Sequence, residues 1–211
     1  MSDVEMRTAT SEHAWLTQHL ERYRESIIQS DLAPRLMQLT GWFRNTQARG
    51  RKVIVAGNGG SAAIASHCAV DFTKTAGIRC INFNEADLIT CFANDYGYDR
   101  WLQKALEHYA DPGDLVILIS SSGKSPNMLN AARYAVQNEL PLATFTGFAQ
   151  DNPLRALGRL NFWVDSGVYN IVEMTHHIWL LAICDLLAAK LETSEELKVR
   201  VGSVSSRGSL V

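Results

Sequence analysis

Two sets of ionisable side chains stand at helical spacings that let them act together. His67 and Asp71 are four residues apart, and Glu173 precedes His176 and His177 by three and four. Each set therefore lies on one stripe of a helix. A carboxylate and an imidazole on one stripe can pass protons or share a divalent metal. Glu173 stands in a long, largely apolar helix read from Tyr169 to about Leu191. An unpartnered carboxylate buried there is costly or takes up a proton, so function or an ion pair has to compensate.

Two turns upstream could hold an anion beside these groups. Lys52-Val53-Ile54-Val55-Ala56 runs into Gly57-Asn58-Gly59-Gly60-Ser61 and then into small helix formers, which predicts a buried parallel strand feeding a helix start. The first N–H groups of a helix lack intrahelical partners, and glycines let an oxygen approach the backbone closely. Leu115-Val116-Ile117-Leu118-Ile119 repeats the grammar, ending in Ser120-Ser121-Ser122-Gly123-Lys124-Ser125-Pro126-Asn127. Ser120, Ser121, Ser122 and Ser125 would offer hydroxyls to phosphate oxygens. No Lys-Ser/Thr pair follows the first glycines and the dinucleotide spacing is absent, so no nucleotide cofactor is expected.

The elements that must position these groups alternate. Apolar seams predict a helix through Leu16, Leu20, Tyr23 and Ile27 and a second starting near Pro34. Strands at 53–56, 81–84, 115–119, 141–147 and 161–164, with helices between them, predict a three-layer α/β/α sandwich on a five-stranded parallel sheet. Ligands of such sheets sit beyond the carboxyl ends of the strands, where both turns fall. The organisation read from the sequence is a flexible N-terminus over 1–10, one domain over 11–193 that includes the helical pair, and a Ser/Gly-rich tail over 194–211.

At 211 residues, with 46% hydrophobic and 20% charged residues and a formal net charge of -2, the chain is an ordinary globular composition without an electrostatic footprint for nucleic acid or an anionic membrane. Cys68, Cys80, Cys91 and Cys184 show no CxxC spacing, and no leader-like apolar region occurs near Met1. A cytoplasmic location is expected, with no membrane and no nucleic acid among the partners.

The glycine and serine turns, with Ala93-Asn94-Asp95-Tyr96-Gly97-Tyr98 between them, resemble the sugar isomerase (SIS) domains, and within these the phosphoheptose isomerase branch. The resemblance implies a flavodoxin-like fold, a homotetramer with the N-terminal helices in its interfaces, and a phosphorylated sugar as ligand. It implies conversion of sedoheptulose 7-phosphate to the aldose phosphate used for activated heptose. On the family pattern, Asn58, Gly59, Gly60, Ser61, Asp95, Ser120, Ser121, Ser122, Ser125 and Asn170 bind substrate, and His67, Asp71 and Glu173 are catalytic. Zinc would be held by His67, Asp71, Glu173 and His177, with His176 as the alternative to His177. The chain departs from the family at Asp71 (for Glu), Glu173 (for Gln), Leu181 (for the second His) and Asn170 (for Asp). Leu181 can neither ligate nor titrate. The rival readings are a non-catalytic sugar-phosphate sensor or a tetramer like the replication-initiation regulators of this branch, and an isomerase of another ketose phosphate.

Overall fold

The computed structural model describes residues 3–189, with side chains from residue 11. The tail read over 194–211 lies outside the described residues. Five strands, β1 (Val53–Gly57), β2 (Cys80–Ile81), β3 (Leu115–Ser120), β4 (Leu142–Thr146) and β5 (Leu160–Trp163), form one parallel sheet in the order β2-β1-β3-β4-β5. The helices are α1 (Asp3–Ile27), α2 (Leu32–Ala48), α3 (Gly60–Lys74), α4 (Ala86–Tyr96), α5 (Trp101–Tyr109), α6 (Pro126–Gln137), α7 (Pro153–Leu157) and α8 (Tyr169–Ala188).

Every residue of β1, β3 and β4 is buried, as a parallel sheet covered on both faces requires. Alternation sorts them into two cores. Val53, Val55, Leu115, Ile117 and Ile119 meet α3, α2 and α8, where Phe43 stacks on Phe72 at 4.4 Å. Ile54, Ala56, Val116 and Leu118 meet α5 and α6 through Trp101, Leu102, Met128 and Ala132. Each large aliphatic side chain buried this way contributes about 1.5–3 kcal/mol against leaving it in water.

The register matters most for function. Val53 pairs with Leu115 and Gly57 with Ile119, so β1 and β3 end level and release their turns side by side. α6 then begins with Ser125 at its N-cap and Pro126 in its first turn, where the missing N–H of proline costs nothing. α3 begins after Gly59, whose φ of 54° suits glycine.

Three local expectations change. α1 starts at Asp3, inside the stretch 1–10 read as a flexible end, because no glycine or proline interrupts residues 3–27. The second strand is only Cys80–Ile81; Asn82, Phe83 and Asn84 leave the sheet, and Asn84 instead bonds the α3 carbonyl of Ala62 and the Ser66 hydroxyl, each at 2.7 Å. α7 has no hydrophobic period to announce it and rests on Asn152, whose side chain accepts from Arg155 N–H at 3.0 Å.

α8 is apolar and long enough to cross a membrane by composition, yet Ile171, Val172, Thr175, Trp179, Leu180 and Ile183 are buried against the rest of the domain. Its other side leaves Met174 and Ile178 exposed. α1 is anchored at its end, where Trp179 Nε1 donates to Ile27 O at 3.0 Å. Trp15, Leu16 and Leu20 further up α1 are exposed, so the seam predicted for that helix packs only at its carboxyl end.

Candidate active site

The two turns open into one cavity of about 260 Å3, lined by Asn58, Gly59, Gly60, Ser61, Ser120, Ser121, Ser122, Ser125, Tyr169 and Glu173. A pair of reciprocal amide hydrogen bonds ties the turns together. Asn58 Nδ2 donates to Asn127 Oδ1 at 3.0 Å, and Asn127 Nδ2 returns to Asn58 Oδ1 at 2.9 Å. Asn127 is 1% exposed, so this clamp is shielded from water.

Some of the donors around the cavity have no partners of their own. Neither α3 nor α6 has a side-chain hydrogen bond capping its start; Asn58, Gly59 and Ser125 carbonyls take the N–H groups of Ser61, Ala62 and Met128, which leaves those of Gly60 and Asn127 for an anion. Ser121 Oγ is buried and unsatisfied. A buried hydroxyl without a partner is costly, and a phosphate oxygen in this cavity would supply one. Lys124 does not line the cavity, so the cradle works with dipoles.

Glu173 closes the cradle from α8. A Cβ on Gly60 would lie 2.6 Å from its carboxyl carbon, so the carboxylate rests on the glycine turn itself. Burial raises its pKa above the ordinary glutamate value, which brings it toward the range of a working acid or base.

The other ionisable residues gather further along α3 and α8. His67 Nε2 lies 3.2 Å from Asp71 Oδ2, and the His67 ring meets the His177 ring edge-on at 4.7 Å. Burial first, then the neighbouring His67, lowers the pKa of His177, against the pull of Asp71. Its Nε2 is buried without a partner.

Several sequence assignments separate from the site. His176 faces the sheet, fully buried, with Nε2 3.0 Å from Thr146 O and a pKa lowered to about 4 by desolvation. It cannot replace His177 as a ligand, because one residue turns a helical side chain by about 100°. Leu181 packs against the core. Asp95 is exposed on α4 and accepts from Asn94 Nδ2 at 3.0 Å, and neither it nor Asn170 lines the cavity. Among the described residues no three His, Cys, Asp or Glu side chains are grouped to hold a metal ion. His67 and Asp71 pair beside His177 while Glu173 rests on Gly60, so the four-residue zinc set read from the sequence does not assemble.

Sequence reasoning passed over Asn127 and Tyr169. Asn127 had a signal, standing two residues after Ser125 at a helix start; its link to Asn58, 69 positions away, had none.

The chain also matches the SIS domain family model over residues 18–147. The chain belongs to the SIS domain family. The SIS match takes in β1, α3, β3, α6 and β4, hence both turns of the cradle, but stops short of α8 and Glu173. Among curated relatives, a phosphoheptose isomerase of Nitratidesulfovibrio vulgaris is 33% identical over 132 residues, 60% of this chain and 63% of that one. A phosphoheptose isomerase of Burkholderia pseudomallei is 38% identical over 146 residues, 66% and 74% of the two chains. The solved phosphoheptose isomerase GmhA of Neisseria gonorrhoeae superposes with a TM-score of 0.75 at 23% identity, covering 87% of this chain and 99% of that one. The chain thus spans under two thirds of the first relative's length and nearly all of the solved fold.

Proposed function

We propose that this SIS domain is an aldose–ketose isomerase of sugar phosphates, converting sedoheptulose 7-phosphate to D-glycero-D-manno-heptose 7-phosphate for activated heptose and surface polysaccharide synthesis. The observation that carries the chemistry is the Glu173 carboxylate, raised in pKa and seated on a phosphate cradle built from two helix starts. The names of the relatives supply the sugar.

The phosphate sits among Ser61, Ser120, Ser121, Ser122 and Ser125, and Asn58 holds the two turns together. The sugar folds back between Gly60 and His67, which stand about 10 Å apart along α3, so that C1 and C2 lie between the Glu173 carboxylate and the His67–Asp71 pair. Isomerisation moves one proton from C1 to C2 and one from O1 to O2 through an enediol, so a single carboxylate able to take and return a proton suffices at carbon. Glu173 takes that role. The His67–Asp71 pair serves the oxygens, with Asp71 holding the imidazole and His177 bounding it on the other side.

The exposed apolar residues Trp15, Leu16, Leu20, Met174 and Ile178 support assembly into the homotetramer implied by the family. The protein acts in the cytoplasm, where sugar phosphates are made.

The test is direct: purified protein is mixed with sedoheptulose 7-phosphate, with and without added zinc, and the aldose phosphate is followed by NMR. Turnover lost in Glu173→Gln and Asp71→Asn, with sugar-phosphate binding kept, supports the assignment. The sensor reading has one observation in its favour, the core-packed Leu181 where the family carries a histidine. Binding without turnover under every metal condition would establish that reading.

A further inference from the structure

A second cavity, of about 300 Å3, lies at the opposite ends of the strands. It opens between the last turns of α2 and the residues that lead into β3, β4 and β5, and Trp42, Asn45, Thr46, Arg49, Gly113 and Arg159 line it. β3 alone separates it from the cradle by about 20 Å, at roughly 3.3 Å per residue. None of the isomerase chemistry uses it.

Its chemistry is one-sided. No carboxylate lines the cavity, and neither Arg49 nor Arg159 ion-pairs with a carboxylate among the described residues. Asp111 and Asp114, in the loop that contains Gly113, are both engaged by Lys52 Nζ, at 2.7 and 2.6 Å. The Arg159 guanidinium stands over the Trp42 ring, 5.9 Å from its centroid. The carbonyl end of α2 opposes an anion here, and two planar guanidiniums without competing carboxylates outweigh it.

Thr46 is the independent sign of a ligand. The residue is 3% exposed and its hydroxyl makes no hydrogen bond among the described residues, yet its oxygen is not sealed from solvent and opens onto the cavity. A threonine inside a helix ordinarily bonds the carbonyl four residues back, as Thr40 does to Leu36 O at 2.8 Å in the same helix. A hydroxyl that opens onto the cavity without that bond is free to bond an oxygen of whatever enters.

We propose that this cavity is a second ligand site that takes a nucleoside diphosphate, with the exposed Arg159 side chain swinging from the Trp42 ring to hold the phosphates with Arg49, Thr46 and Asn45 bonding their oxygens, and the base taking the place of the guanidinium over the indole. Guanidinium forks match phosphate oxygens, and an indole face accepts any base. The site stands apart from the isomerase reading, since it shares no residue with the cradle.

The experiment follows the Trp42 indole N–H resonance of the full chain, assigned with Trp42→Phe, during titration with GDP, ADP, pyrophosphate and inorganic phosphate. GDP and ADP are expected to move it and to bind at least about fivefold more tightly than pyrophosphate. Arg49→Gln and Arg159→Gln should each weaken the nucleotide at least about tenfold. Both should leave basal turnover unchanged. Thr46→Val should weaken it while leaving the melting temperature of the free protein unchanged. A Trp42 resonance that no ligand moves at millimolar concentration would overturn the site, as would nucleotide affinity unchanged in both arginine variants. Equal affinity for pyrophosphate and GDP would overturn the nucleoside.

Discussion

Glu173→Gln is the sharpest perturbation of the proposed reaction. The amide keeps the size of the carboxylate over Gly60 and removes its ability to take a proton. A positioned general base is worth about 10²–10⁴ in rate, or about 3–5 kcal/mol of barrier at 1.36 kcal/mol per decade. The loss should fall on kcat with KM changed little, because the phosphate is held by serines and helix starts that the substitution leaves alone. In the wild-type protein kcat should rise with pH through the Glu173 pKa, which burial places above 4.5, and the variant should lose that limb. Stability runs the other way. The folded state holds the Glu173 proton to higher pH than the unfolded chain, so wild-type stability falls as pH rises from the unfolded value through the folded one. The glutamine variant should therefore be the more stable protein at neutral pH, with the difference closing in acid. NMR turnover assays and urea melts from pH 4 to 8 read both effects. A variant within threefold of wild-type kcat, or one whose acid limb is unchanged, would refute Glu173 as the base.

Other outcomes follow from the same geometry. Gly60→Ala brings a methyl within 2.6 Å of the Glu173 carboxyl carbon; the end of that flexible side chain should swing aside, so kcat falls while calorimetry shows a fold at least as stable, alanine being the better helix former. Ser121→Ala removes a hydroxyl that has no partner in the free protein, so the melting temperature should hold while sugar-phosphate affinity by calorimetry drops by about 10-fold or more, the worth of a hydrogen bond to a charged group. His176, with a pKa of about 4 in the fold against about 6.5 unfolded, is protonated more readily in the unfolded chain. It should cost stability as pH falls from 6.5 to 4, by about 3 kcal/mol in total. His176→Leu should flatten that slope in pH-dependent denaturation and leave kcat alone.

The strand runs, the glycine and serine bends and the alternation of elements were legible in the sequence, because buried parallel strands are near-continuous apolar runs and helix starts need particular residues. The family followed from the same motifs. The helix that carries Glu173, His176 and His177 was legible too, but not which of its faces meets the ligand. That was decided by how α8 lies on α3 and the sheet, which sends His176 to Thr146, His177 to His67 and Glu173 to Gly60. Spacing along one helix orders side chains only relative to each other; a rotation about the helix axis, fixed by packing against other elements, chooses their partners. The Asn58–Asn127 clamp and the unbonded Thr46 hydroxyl belong to the same class. They join, or leave apart, residues distant in the chain, and only the folded domain determines that.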